Sequence, residues 1–282
     1  MDELKSLWIH VFESDRDTDN NWWKRKKELC DRRGVEIVRI NGNGHIYQRL
    51  QHREGETINY LLHLTFLMKQ EDHFYLEESV NSYQFRFVHG EVRDHHSIPA
   101  PVNNLSKEKI EPEAVRNGQI ERFHYDRMAA VQYAERWWNS YNPDYRKFEV
   151  DCTNFVSQCL RAGGAPMSGA PNRNKGWWYQ GNNWSYSWSV AHSLRWYLNG
   201  STSGLKGTAV ASASELSPGD IICYDFEGDG RWDHNTIVVS RDNNGEPLVN
   251  AHTDNSRHRY WSYEDSTAYT PNINYKFFRI GE

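Results

Sequence analysis

The chain contains no apolar run of roughly 18 residues, the length a membrane-crossing helix needs. Its first residues, MDELKSLWIHVFESDRDTDNN, lack both the basic start and the continuous apolar region of an export signal. Cysteine is scarce: Cys30, Cys152, Cys159 and Cys223 are widely scattered and form no CxxC pair, which argues against a disulfide scaffold. Free thiols and a reducing, cytoplasmic setting are expected. Neither charge sign dominates, with 33 basic against 38 acidic residues interspersed along the chain. A duplex-binding surface or an electrostatic membrane anchor is therefore not expected, and neither nucleic acid nor membrane is an expected partner. Apolar residues make up only 38% of the chain, but 12 Trp, 16 Tyr and 11 Phe are among them, so aromatic rings must carry much of the burial. At 282 residues the chain is long enough for two compact units.

Residues 1–100 read as an α+β accessory domain. WWKRKKELCDRRG has helical spacing and stops at Gly34, its basic residues forming a solvated face. VEIVRI and HIYQRLQ flank the turn signal NGNG, Asn41 to Gly44, which predicts a hairpin. TINYLLHLTFLM, HFYLEE and SYQFRFVHGEV continue as a meandering antiparallel sheet. A helix with a curved sheet is compatible with a cystatin-like or nuclear-transport-factor-like module. Residues 101–121, polar and rich in proline, read as a linker.

Residues 122–282 read as a second α+β domain, with helices ahead of an antiparallel strand set. YDRMAAVQYAERWWNSYN turns Met128, Val131, Ala134 and Trp137 to a core, and SVAHSLRWYLNG makes a later helix. GDIICYDF, HNTIVVS, PLVNAHT and NINYKFFRI follow as strands.

The chemistry centres on DCTNFVSQCLRAGG. Cys152, Phe155, Val156, Cys159 and Leu160 fall on one helical stripe that begins at Cys152 and ends at Gly163 and Gly164. A thiol in a first helical turn meets unsatisfied N–H groups and the positive end of the helix dipole, which favour thiolate and could also hold an oxyanion. Buried cysteines are more often packing, and Cys30, Cys159 and Cys223 are read that way. Cys152 differs because His234, opening the strand HNTIVVS, is a candidate base that could aim its ring at the thiol. His252 and Asn250 alternate onto one face of PLVNAHT; either, or Asp254, could orient the imidazole, with His252 preferred.

Together, DCTNFVSQCL with its trailing Gly-Gly, SPGDIICYD, WDHNTIVV and VNAHTDN resemble the bacterial family described as a putative amidase domain, within the papain-like cysteine hydrolase superfamily. More distantly they resemble the NlpC-type peptidases and CHAP amidases. The resemblance spans about Phe123 to Ile280 and implies a papain-like α+β domain, a Cys152 nucleophile, a His234 base, and a third polar residue at His252 or, less securely, Asn250. NlpC-type enzymes often carry Asp-Cys-Ser-Gly, whose aspartate binds the free amine of a cell-wall peptide. Asp151 matches it and Asn154 departs from it, so Asp151 is either an amine ligand or a helix cap. The resemblance implies no cofactor and no metal.

Two other features bear on function. NKGWWYQGNNWSYSWS could form a stacking wall beside a cleft, with Trp177 and Trp178 as its first candidates, or could cover the core. DFEGDG echoes a calcium loop, but Thr236 stands where the bidentate glutamate would be, so a solvated turn is expected. His95 and His96 beside Asp94 lack a second cluster of metal ligands. The expected activity is cysteine-dependent hydrolysis of a peptide or amide, a peptidoglycan fragment being the substrate class the resemblance suggests. A silent glycan- or peptide-binding protein on the same fold and a Cys-His acyltransferase are the alternatives.

Overall fold

The computed structural model describes residues 2–13, 22–98 and 123–281, so the segment expected to be a linker, 101–121, lies outside the described residues. Two compact units are present. One holds the residues up to 98 together with Ser262–Tyr269; the other holds 123–261 and 270–281. The expected division into 1–100 and 122–282 is thus interrupted by eight residues of the C-terminal half that pack with the N-terminal elements.

In the first unit, helices α1 (Asp2–Glu13) and α2 (Trp22–Arg33) accompany strands β1 (Val35–His52), β2 (Gly55–Gln70), β3 (His73–Val88) and β4 (Glu91–Ile98), an antiparallel meander. α1 is additional to the expected elements, although Leu4, Trp8 and Phe12 stand at steps of four. β2 shows strict two-residue periodicity: Ile58, Tyr60, Leu62, Leu64, Phe66 and Met68 are all buried. NGNG is not a turn. β1 runs through it in register with β2, Gly42 opposite Leu64 and Gly44 opposite Leu62. A Cβ on Gly42 would stand 3.5 Å from a Leu64 methyl and 3.7 Å from one of Leu62, so these leucines lie over the bare backbone.

The basic residues of α2 do not all lie on a solvated face: Lys24 and Arg32 are exposed, but Lys26 and Arg33 are buried. Lys26 is 3% exposed and donates to Glu77 at 2.5 Å and Asp265 at 3.3 Å. Arg25 donates to the carbonyls of Glu264 and Ser266, and Arg32 pairs with Glu264. Burial works against the Lys26 charge, but the two carboxylates more than reverse this, so its pKa lies above the ordinary lysine value. Asp265 lies 239 residues downstream, a separation at which local pattern carries no signal.

The second unit opens with α3 (Arg127–Trp137), capped by Asp126, whose Oδ1 accepts the Ala129 N–H at 2.9 Å. Its buried residues are Ala130 and Ala134, whereas Met128, expected inside, is 70% exposed. α4 (Cys152–Ala162) is the central helix, with every residue from Cys152 to Leu160 buried. It ends where Gly163 lets the chain pass Tyr125, since a Cβ there would fall 2.4 Å from a ring carbon. A two-stranded ribbon, β5 (Tyr179–Gln180) and β6 (Asn183–Trp184), precedes α5 (Tyr186–Ser189) and α6 (Ala191–Gly200). Strands β7 (Gly207–Val210), β8 (Ile221–Asp225), β9 (His234–Arg241), β10 (Pro247–Ala251), β11 (Asn255–Tyr260) and β12 (Asn274–Ile280) form a sheet in the order β11-β10-β9-β8-β12-β7 with antiparallel neighbours. β7 and β11, short or polar, are additional to the expected strands. Phe155, Val156, Cys159 and Leu160 of α4 share a core with Ile221, Cys223, Ile237 and Val239 of the sheet. Each large apolar side chain sealed there contributes about 1.5–3 kcal/mol. The expected α+β class is the one observed.

Candidate active site

α4 starts where β9 starts, and this meeting point places Cys152. The side chain is 1% exposed. Its Sγ lies 3.7 Å from Thr153 Oγ1 and 4.0 Å from the Asp233 carbonyl, and it receives the main-chain N–H of Asn235. Asn235 also donates through Nδ2 to Thr153 Oγ1 at 2.9 Å, locking the strand end to the first helical turn. Burial pushes the Cys152 thiol up, and the Asn235 N–H and the Thr153 hydroxyl offset only part of the rise. Enclosure therefore outweighs the helix-start effect, and the resting group is a thiol. Cys30, Cys159 and Cys223 are free and buried, in keeping with packing roles.

Asp151 occupies the N-cap position but makes no side-chain cap to α4. It is 1% exposed and holds the surrounding chain instead: Oδ1 accepts from the Phe148 N–H and Asn154 Nδ2, each at 2.9 Å, and Oδ2 accepts from His252 Nδ1 at 2.7 Å. Of its two expected roles, helix cap or amine ligand, the cap does not match this placement. The His252 Nε2 lies 2.7 Å from the Trp137 carbonyl, and the ring stacks on Phe155 with centroids 4.1 Å apart. Both ring nitrogens thus face oxygens other than those of the β9 start. Asn250 too has other partners: Nδ2 donates to Glu135 at 2.9 Å and Oδ1 accepts the His258 N–H at 2.9 Å. The expected alignment of either residue on His234 gives way to these bonds, because Asn250 pairs with Ile237 on the helix side of the sheet and His252 lies beyond the end of β10. Asp254 is exposed.

His234 reaches the same strand end from the other side. It pairs with Tyr224 across β8 and β9, as Asn235 pairs with Cys223. Successive residues of a strand face opposite ways. Cys223 and the Thr153-bonded Asn235 point toward α4, so the His234 ring lies on the opposite face, 5.6 Å from the Tyr224 ring and 6.1 Å from that of Phe226 by centroids. Backbone groups of Asp233 and Asn235 meet the sulfur.

Burial, with the nearby Arg259 charge, pushes His234 from 6.5 down to about 3. Between these values the unfolded chain binds a proton that the folded chain refuses, so unfolding is favoured by acid. This contribution is absent above the unfolded value and grows as pH falls toward the folded one, by up to about 1.4 kcal/mol per pH unit. Denaturation midpoints of wild type are expected to drop more steeply between pH 6.5 and about 4 than those of His234→Gln. Parallel curves would mean the ring charges freely in the folded state.

The family comparison matches this region. Residues 124–278 fit the model of the family described as "Putative amidase domain", more than half of the chain. The chain belongs to that family. It is also similar to YhbB of Bacillus subtilis (strain 168), described as uncharacterized, at 48% identity over 264 residues, 91% of this chain and 85% of that protein. YjcM of the same organism, likewise described as uncharacterized, is 34% identical over 128 residues, 42% of this chain and 29% of that protein. No solved structure matches. Cys152, His234, Asn250 and His252 all lie inside the amidase-family match.

Within the matched region, Trp177 and Trp178 form no stacking wall. They are 0% and 1% exposed. The Trp177 indole N–H donates to Ser157 Oγ, and that of Trp178 to the carbonyls of Asn172 and Lys175. The aromatic side chains that reach solvent nearby are Tyr186 and Trp196, 42% and 52% exposed. With Arg173, His192 and Tyr197 they line a cavity of about 340 Å³ beside α5 and α6; Cys152 is not part of that lining. DFEGDG is a tight loop whose backbone N–H groups at Gly228, Asp229 and Gly230 converge on Asp225. Thr236 is committed to β9 and bonded to the Tyr224 hydroxyl, so the calcium-loop pattern stays incomplete. Asp225, Glu227 and Asp233 place carboxylate oxygens within 4.8 Å of one another and form the group of described residues that could hold a metal ion. His95, on the first unit, bonds to Tyr60 at 2.7 Å and stacks on Tyr83. No helix among the described residues is long and apolar enough to cross a membrane.

Thr153 and Asn235 are polar neighbours of the sulfur that sequence reasoning does not single out. Their polarity inside otherwise apolar runs is the available signal, but it does not show that they bond each other.

Proposed function

We propose that this chain hydrolyses an amide or peptide bond through a thioester on Cys152, with His234 as proton carrier. The observation that carries the reading is the enclosed Sγ at the first turn of α4, beside the strand end that holds His234, in a chain of amidase family. His234 is the first residue of β9, so its ring reaches the sulfur when the backbone of this strand end shifts as substrate enters. It then takes the Sγ proton as sulfur attacks the carbonyl carbon. First-turn N–H groups of α4, which the helix itself does not use, can receive the oxyanion. Collapse breaks the C–N bond while the imidazolium protonates the amine, and a water deprotonated by His234 then cleaves the thioester. The neutral thiol and imidazole of the resting site suit this sequence, because the ion pair forms only when substrate is present. Cell-wall peptides are the first class to screen, on the strength of family resemblance.

Acid-quenched mass spectrometry during turnover tests the chemistry. An acyl adduct on the peptide carrying Cys152 is expected, cleaved by hydroxylamine to the hydroxamate and released in turnover by water as the free acid. Release onto an added amine in preference to water would reassign the protein as an acyltransferase, and product formation without any adduct would remove Cys152 from the mechanism.

A further inference from the structure

Two nitrogens of one half-buried guanidinium are sealed from solvent without a hydrogen-bond partner. Arg195 belongs to α6, and its Nε and Nη1 are sealed from solvent with no acceptor among the described residues. Its charge packs on aromatic rings, 3.8 Å from the centroid of Trp196 and 5.1 Å from that of Trp232. Rings stabilise a cation through their faces but give its N–H groups nothing to bind. Desolvated charged donors are costly to leave unpaired, so a buried arginine normally holds a carboxylate, a carbonyl or a water.

The location gives these unpaired donors meaning. Trp232 stands two residues before His234, and its N–H is bonded to His192 Nδ1 of α6 at 3.3 Å. The carbonyl of the next residue, Asp233, lies 4.0 Å from the Cys152 sulfur. Cys223 is the cross-strand neighbour of Asn235, which donates its main-chain N–H to Cys152. Asn235 is 0% exposed, and its Oδ1 also has no partner among the described residues. Unpaired donors held against Trp232 and the unpaired acceptor of Asn235 thus lie along the 232–235 segment whose backbone meets the sulfur. A substrate that brings an anion and an N–H would satisfy both.

We infer that Arg195 receives a carboxylate of the substrate, so the preferred substrates are peptides with a free carboxylate close to the amide that Cys152 attacks. The inference rests on the amidase reading for the identity of that amide, but binding can be measured without turnover. Arg195 acts as a specificity-determining residue. Asn235 Oδ1 accepts the N–H of the same substrate.

The test uses the full chain with Cys152→Ala, so that nothing is consumed, and titrates two probes by calorimetry: N-acetyl-Ala-Ala with a free carboxylate, and its C-terminal carboxamide. The carboxylate form is expected to bind at least tenfold tighter. Arg195→Gln should erase the difference and Arg195→Lys should keep part of it, since lysine retains the charge but not the planar donor set. Inorganic phosphate separates the sources of the anion: if it binds to the Arg195 protein as well as the peptide carboxylate does, the pocket is a general anion site and the substrate assignment fails. The assignment also fails if the two probes bind alike, or not at all, or if Arg195→Gln weakens both equally. A stability measurement covers the case in which Arg195→Gln does not fold. Arg195→Met keeps the length and apolar contacts while deleting the unpaired N–H groups, and should raise the Tm by a few degrees, because a binding group is held there at the expense of the fold. A sharp fall instead would make Arg195 a structural post between its two tryptophans and overturn the assignment. Failure of the thioester experiment with survival of the carboxylate preference would leave the binding site standing and remove only the chemistry.

Discussion

Cys152→Ala is expected to lower amide turnover by about four to six orders of magnitude, the loss seen when a sole covalent nucleophile is removed. The reasoning is local. Among the described residues no other cysteine stands at a helix start beside a histidine-bearing strand end: Cys159 lies two turns further along α4 among Phe155, Val156 and Leu160, and Cys223 faces the core from mid-strand. Truncating Cys152 removes one sulfur from a site that also contains the Asn235 N–H and the Thr153 hydroxyl, so the Tm should change little. Cys159→Ala is the matched control, costing roughly 1–2 kcal/mol of packing and leaving kcat intact. Steady-state assays beside melting curves of the two variants check this. Equal rate losses in both would place the chemistry elsewhere, and full activity in Cys152→Ala would end the cysteine reading.

Asp151→Ala should unfold the second unit more readily rather than change which substrate it prefers. Three donors converge on that carboxylate: the Phe148 N–H, Asn154 Nδ2 and His252 Nδ1. Removing it leaves them without acceptor in a site 1% exposed to solvent. Each buried donor left unsatisfied costs about 1–3 kcal/mol. For a domain of this size three such losses, at the low end of that range, correspond to a Tm fall of roughly 10 °C. The effect should spread along bonded neighbours, since Asn154 also donates to the Arg146 carbonyl and accepts the Trp188 indole N–H. Thermal melts with kinetics at a temperature where the variant remains folded check it. An unchanged Tm with a raised KM would instead make Asp151 a ligand for the substrate amine.

Much of this molecule is legible in its amino-acid sequence. The stripe from Cys152 to Leu160 is periodic and closed by Gly-Gly, so the helix and its first residue can be read directly. β2 is nearly as plain, because from Ile58 to Met68 every second residue is apolar and buried. The departures share a cause. NGNG carries a local preference for a turn, but leucines from β2 cover those glycines. Met128 has helical spacing with the core residues of α3, yet lies outside the arc that meets the sheet. The basic stretch of α2 has the pattern of a solvated face because its carboxylate partners are strands away.

The sequence alone determined the α+β class, the helix that begins at Cys152 and the strand that begins at His234, because periodicity and punctuation are properties of neighbouring residues. The tertiary structure decided what each polar group near the thiol does. Asp151 and His252 are 101 residues apart and bond at 2.7 Å; Asn235 and Thr153 are 82 apart and bond at 2.9 Å. Such partners are selected by where helices pack on a sheet and by the cost of leaving a buried donor unpaired. Neither influence leaves a pattern along the chain.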